Sequence, residues 1–295
     1  MKKTITFFLL LVILLNMAAC SEKTEKTSPL LVKSVTVYHV DYETGEWTEW
    51  EKTDLDYENS YPKTITTEYP DSDYRRVNTF EYTLEDGVPV AMTRYLDGAL
   101  QYSAEYVKGR LSQVSYSYEL AESTRYLTYI YANDDDYFTL VLHSSHVGDP
   151  ADPSAAFYNT EEVDTISVTT KDGLLQTTVN RGLYTNWLDG EDRDWLRFNG
   201  TYTANYDSEG ILSSTSCEYR DDQVPQNYLF EITMENGLVT EVVRKIKSAD
   251  SDEAVLDAKI VFEYTDIQID ASRYSRMINA FIIEEGNTFY IYNWY

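Results

Sequence analysis

Apolar residues in this 295-residue chain recur with a period of two. That spacing commits the chain to strands, because successive side chains along a strand point to opposite faces. Within residues 79–84, Phe80, Tyr82 and Leu84 fall on one side while Thr79, Glu81 and Thr83 fall on the other. Val114, Tyr116 and Tyr118 alternate in the same way with Ser115 and Ser117. Tyr228, Phe230, Ile232 and Met234 alternate with Leu229, Glu231 and Thr233, and Ile260, Phe262 and Tyr264 with Val261 and Glu263. One oily face and one face of Thr, Ser and Glu predict a mainly β, antiparallel sheet, packed on one side and wet on the other.

Glycine marks the connections. Asp86-Gly87, Asp97-Gly98, Lys108-Gly109, Asp172-Gly173, Glu209-Gly210 and Asn236-Gly237 each precede an aliphatic residue, at once or after one residue. Such pairs supply the positive φ that tight hairpins need. Gly87, Gly98 and Gly109 are eleven residues apart, which leaves about eight per strand after a turn of about three. Consecutive strands joined this way make a twisted β-meander, which either curls into a barrel or folds over as two layers. Helical periodicity is confined to residues 271–280, one short helix at most, and residues 121–124 read as a turn. The stretch 147–162, with Gly148, Pro150 and Pro153, breaks the pattern. It either joins two sub-domains or forms a long loop within one sheet, and the second fits better.

The first nineteen residues are set apart from the rest. Lys2 and Lys3 precede an apolar run over residues 5–15, and small residues Ala18 and Ala19 stand directly before Cys20. This is the layout of a secretory signal peptide. Eleven apolar residues fall short of the roughly twenty that span a bilayer, so a retained transmembrane anchor fits less well. Residues 20–32 follow as a polar tether containing Ser-Glu-Lys-Thr-Glu-Lys-Thr-Ser-Pro over 21–29, and residues 33–295 form the folded part.

Small residues directly before Cys20 resemble the lipobox of bacterial lipoproteins, with Met17 where that pattern usually has leucine. The resemblance implies acylation of Cys20 by more than one chain, palmitate being the common type. It also implies a stable membrane attachment and a place in the cell envelope, facing away from the cytoplasm. Tyr206-Asp207-Ser208-Glu209-Gly210-Ile211-Leu212 resembles the unit of tyrosine-aspartate (YD) repeat proteins. Residues 95–100 and 106–111 keep Tyr, Gly and Leu at a spacing shifted by one. This similarity implies a scaffold and brings no catalytic residue with it.

Composition narrows the partners. Fifty acidic against 24 basic residues give a net charge of −26, or −28 once Lys2 and Lys3 leave with the leader. So acidic a chain is repelled by nucleic acid. A glycan, a peptide, a basic protein or a divalent cation suits it better. With Cys20 acylated, Cys217 stands alone, a small strand residue, and no internal disulfide is expected. Stability then rests on the core. With 27 tyrosines against 10 phenylalanines, that core is expected to be tyrosine-rich, since tyrosine favours half-buried pleated surface and can leave its hydroxyl in water.

Motifs for catalysis are missing. There is no Gly-x-Ser-x-Gly, phosphate-binding Gly-rich loop or Cys-x-x-Cys. Of the three histidines, His39 reads as a strand residue, and His143 and His146 fall on opposite faces if their strand continues. No catalytic residue and no resident cofactor are expected. Calcium is a candidate at two acidic loops, one with Asp134, Asp135 and Asp136 and the other with Asp189, Asp192 and Asp194, because it takes six to eight oxygen ligands. Trp187 and Trp195 bracket the second loop, and Trp47 and Trp50 sit near Tyr42 and Tyr57 in sequence. Indole faces edged by carboxylates suit sugar rings. The expected role is non-enzymatic binding or scaffolding. The alternatives are a carrier or chaperone that holds a lipid or peptide in a curved sheet, and a glycan-acting enzyme.

Overall fold

The structure, a computed structural model, describes residues 28–70, 72–107, 110–116, 124–131, 137–146, 160–171, 174–186, 193–219, 226–248 and 253–282. Among the described residues sixteen strands follow one another. They are β1 (Leu30–Val40), β2 (Trp47–Glu58), β3 (Tyr61–Glu68), β4 (Arg75–Glu85), β5 (Val88–Leu96), β6 (Ala99–Val107), β7 (Arg110–Tyr116) and β8 (Thr124–Tyr131), then β9 (Tyr137–His146), β10 (Thr160–Lys171), β11 (Leu174–Asn186), β12 (Arg193–Tyr206), β13 (Leu212–Tyr219), β14 (Gln226–Glu235), β15 (Leu238–Ser248) and β16 (Val255–Gln268). Among the described residues one helix, α1 (Ala271–Ile282), comes after them. Each strand pairs antiparallel with its sequence neighbours, and β1 pairs with β16, so the meander closes into a barrel. Thr160 of β10 pairs with His146 of β9, so the same sheet continues on both sides of residues 147–159, which lie outside the described residues.

Alternation explains the wall. Phe80, Met92, Tyr102, Ala104, Val114, Phe230, Val242, Ile260 and Phe262 face inward and are buried. Glu81, Thr83, Ser103, Glu105, Ser115, Glu231, Thr233 and Glu263 face outward and are exposed. A lipid-facing barrel carries the reverse pattern, an apolar band outside and a polar lumen. The inner wall also holds charge. Arg94 donates from Nε and a terminal nitrogen to Asn78 Oδ1 at 3.0 and 2.8 Å and lies 5.3 Å from the Tyr102 ring centre. Arg244 pairs with Asp257, both buried, and lies over Tyr228.

Tight turns confirm the hairpin chemistry at Asp86-Gly87, Asp97-Gly98 and Asn236-Gly237, where both residues have positive φ. Asn59-Ser60 uses the same geometry without a glycine. Lys108-Gly109 and Asp172-Gly173 lie outside the described residues. Bulges interrupt the strict period. A register shift opposite Thr233 and Met234 inserts an extra residue, Thr240, into β15, and Met234 near the end of β14 is 37% exposed.

Helix α1 plugs one end. Asp270 caps it, accepting from Arg273 N at 2.9 Å through its carboxylate. Tyr274, Met277, Ile278 and Ile282 form a stripe spaced for one helical face and are buried in a cluster with Leu31, Val35, Leu55, Ile211, Leu212, Val239 and Phe262. Each such aliphatic side chain contributes roughly 1.5–3 kcal/mol of burial. Asn279, fully buried, accepts from Leu212 N at 2.9 Å and donates to Gly210 O at 3.0 Å, fastening the helix to the β12–β13 turn. Arg273 donates to Ser60 O and Ser275 to Glu209 O, so three hairpins at this end hold the plug once Val239 N, bonded to Tyr274 Oη at 2.7 Å, is included.

Some tyrosine hydroxyls are bonded within the protein. Tyr57 donates to Val32 O at 2.6 Å, and Tyr264 donates to Val239 O at 2.5 Å. These hydroxyls are bonded inside the wall to backbone carbonyls, and burial pushes the pKa of both phenols well above the usual value. Tyrosine here supplies internal hydrogen bonds as well as area.

Candidate functional site

Strand direction sorts the connections between two rims. The turns at Asn59-Ser60, Asp86-Gly87, residues 207–211 and Asn236-Gly237 share the plugged end with α1 and with the start of β1. The hairpin at residues 41–46 and the loop after β3 lie at the opposite end, and among the described residues this second rim carries the exposed aromatic rings Tyr42, Trp50 and Tyr74.

Residues 41–46 are locally fixed. The Asp41 carboxylate accepts from Glu43 N at 2.8 Å and Thr44 N at 3.1 Å, and Gly45 N bonds Asp41 O at 2.7 Å. The two amides, Thr44 foremost, hold that carboxyl below its ordinary pKa. Tyr42 at the tip is 74% exposed and Trp50 is 55% exposed. Trp50 meets His39 edge-on with ring centres 5.2 Å apart. On the outer wall, Lys259 Nζ lies 4.7 Å from the Tyr38 ring centre and 5.5 Å from that of Trp47, a cation held between two aromatic faces. Tyr57, near in sequence, belongs to the plugged end and is not part of this patch.

Beside it, the loop after β3 covers a groove of about 450 Å³ lined by Glu49, Lys52, Glu68, Tyr69, Tyr74 and Arg75, with Pro70, Ser72 and Asp73 completing it. Lys52 pairs across strands with Glu68, and Glu68 with Arg75, so basic and acidic groups alternate along the groove floor. Glu68 and Arg75 are 3.5 Å apart, and Lys52 lies 3.7 Å from Asp54. The Tyr69 and Tyr74 rings stack at 6.1 Å and 22°. Sequence reasoning found Tyr42, Trp47 and Trp50 but missed Tyr69 and Tyr74. The run Glu-Tyr-Pro before them and Asp-Tyr at its end was the available signal.

The other sequence candidates fall elsewhere. Cys20, Asp134, Asp135, Asp136, Trp187, Asp189 and Asp192 lie outside the described residues. Asp194 and Trp195 are in β12, and Cys217, His143 and His146 are in β13 and β9, with side chains outside the described set. His39 is a β1 strand residue. Among the described residues no group of three or more His, Cys, Asp or Glu is placed to hold a metal ion, and no helix is long and apolar enough to cross a membrane.

No protein-family model matches the chain. No curated protein matches it either. Among solved structures it is similar to a porin-like protein from Bacteroides vulgatus ATCC 8482, at 9% identity over 81% of this chain and 100% of that one, with a TM-score of 0.36.

Proposed function

We propose that this chain is an exported lipoprotein, acylated at Cys20, that stands on a membrane with its plugged end toward the bilayer and binds a ligand, without catalysis, at the opposite rim. The observation that carries the reading is the polarity of the barrel along its axis. β1 starts at the plugged end, where Ile269 N bonds Pro29 O at 2.8 Å, so residues 21–29 join the barrel there. Nine extended residues reach about 30 Å at most. The exposed rings of Tyr42, Trp50 and Tyr74 are at the far end.

A polar outer wall supports a barrel that sits in water and is held by fat only at its tether. Met92, Val114 and Val242 of the inner wall are buried, which favours the rim over the interior as the contact surface. The strong negative charge keeps such a surface from sticking to nucleic acid or to anionic head groups.

Metabolic labelling with an alkyne analogue of palmitate tests the anchoring. The wild-type chain takes up label and pellets with membranes, whereas Cys20→Ala takes up none. Label that persists in Cys20→Ala, or an unlabelled wild type, overturns the reading.

A further inference from the structure

We infer that the groove between Tyr74 and the Lys52–Glu68–Arg75 row binds a saccharide, with the Tyr74 ring as the platform for a pyranose. The inference rests on the rim-binding role proposed above and names its ligand class. A groove of about 450 Å³ has room for one or two sugar rings, within the range of small-molecule sites.

The lining fits that chemistry and fits the alternatives less well. Sugar hydroxyls donate and accept, so neighbouring hydroxyls on a ring need donors and acceptors side by side. Lys52 and Arg75 donate, and Glu49, Glu68 and Asp73 accept, with Ser72 able to do either. Acids alone would suit a cation and bases alone a phosphate. Among the described lining residues, two cations stand with three carboxylates, so donors and acceptors are mixed here in a chain of net charge −26, which points to a neutral glycan.

The aromatic pair completes the site. One face of Tyr74 lies against Tyr69, and the residue is still 51% exposed, so a ring face is open to the C–H side of a sugar. Two hydrogen bonds hold the described residues of the loop before any ligand arrives. Ser72 N bonds Tyr69 O at 3.0 Å, Tyr74 N bonds Ser72 Oγ at 2.8 Å, and Pro70 restricts the backbone between them. A preset loop loses little entropy on binding.

The test uses the full-length protein in a zwitterionic detergent without a sugar head group. It is titrated with cellobiose, maltose, lactose and chitobiose, and read by saturation-transfer NMR and calorimetry. At least one of these disaccharides binds. Tyr74→Ala weakens it about tenfold or more, while Tyr74→Phe, which keeps the platform, stays within about twofold. Tyr74 sits exposed on a loop, so an unchanged melting curve for Tyr74→Ala separates lost binding from lost fold. No binding at about 10 mM of any of the sugars, or a sugar bound equally by Tyr74→Ala, overturns the assignment. If Cys20 is acylated and no sugar binds, only the saccharide assignment falls. If sugars bind and Cys20 is not acylated, only the anchoring falls.

Discussion

Tyr264 and Tyr274 close a hydrogen-bonded ring around a single residue. Tyr264 donates to Val239 O at 2.5 Å, so the 3.1 Å contact between the two hydroxyls has Tyr274 as donor, and Tyr274 in turn accepts from Val239 N at 2.7 Å. Both polar groups of one backbone unit, at the start of β15, are thereby satisfied by side chains from β16 and α1. Through this ring the barrel wall and its plug share one set of bonds.

Such a ring fails as a unit. Tyr264→Phe and Tyr274→Phe each leave a buried partner unsatisfied and cost about 1–3 kcal/mol. The double variant costs less than the sum, because the second loss removes a group already orphaned. Urea unfolding of the three variants measures the coupling, and strict additivity would show that the two hydroxyls act independently.

The Arg244–Asp257 pair is buried at 8% and 9% exposure. Arg244→Ala leaves a carboxylate without its partner inside the wall and costs about 3–5 kcal/mol. Replacing both with apolar residues of similar size, Arg244→Met with Asp257→Leu, restores most of that loss. Chemical denaturation distinguishes the two outcomes.

Two glycines with the same backbone geometry separate strain from crowding. Gly87 and Gly210 have φ of +80° and +79°, but a Cβ at 87 meets open space, while one at 210 would lie 3.1 Å from Leu174 Cδ1 and 3.2 Å from Ser275 Oγ. Gly87→Ala therefore costs about 1–2 kcal/mol for the left-handed backbone alone. Gly210→Ala costs more, because it also displaces Ser275 of the plug. Equal melting temperatures for the two variants would show that the α1 contact does not matter.

Buried phenols set an alkaline limit. Burial, opposed in part by Arg94, pushes Tyr102 from 10 to about 12, and burial pushes Tyr57 and Tyr264 up further. Above pH 10 the unfolded chain sheds phenolic protons that the folded chain keeps, so stability falls as pH rises. The contribution of Tyr102 is complete below pH 10 and is lost between 10 and 12. Urea midpoints across that window decline, and Tyr102→Phe makes the decline shallower.

What the sequence discloses follows the range of the forces involved. Strand alternation at Phe80 or Phe262 and the Asn236-Gly237 turn are set within a few residues, so they can be read directly. The Asn59-Ser60 turn escapes because neither residue is glycine, and the extra residue Thr240 in β15 escapes because a bulge is a property of two strands rather than one. Closure of β1 on β16 joins residues more than two hundred positions apart, beyond any local pattern. At the rim, Trp47 and Trp50 stand out as rare residues, whereas Tyr69 and Tyr74 are two among 27 tyrosines until a loop stacks them.

Under the proposed function the barrel stands in water and is tied to the membrane only through its tether. A protease site placed within residues 21–28 tests it directly. After cleavage of membranes carrying the protein, the claim predicts that the barrel appears in the soluble fraction, folded and monodisperse without detergent. A cleaved barrel that stays in the membrane pellet would contradict it.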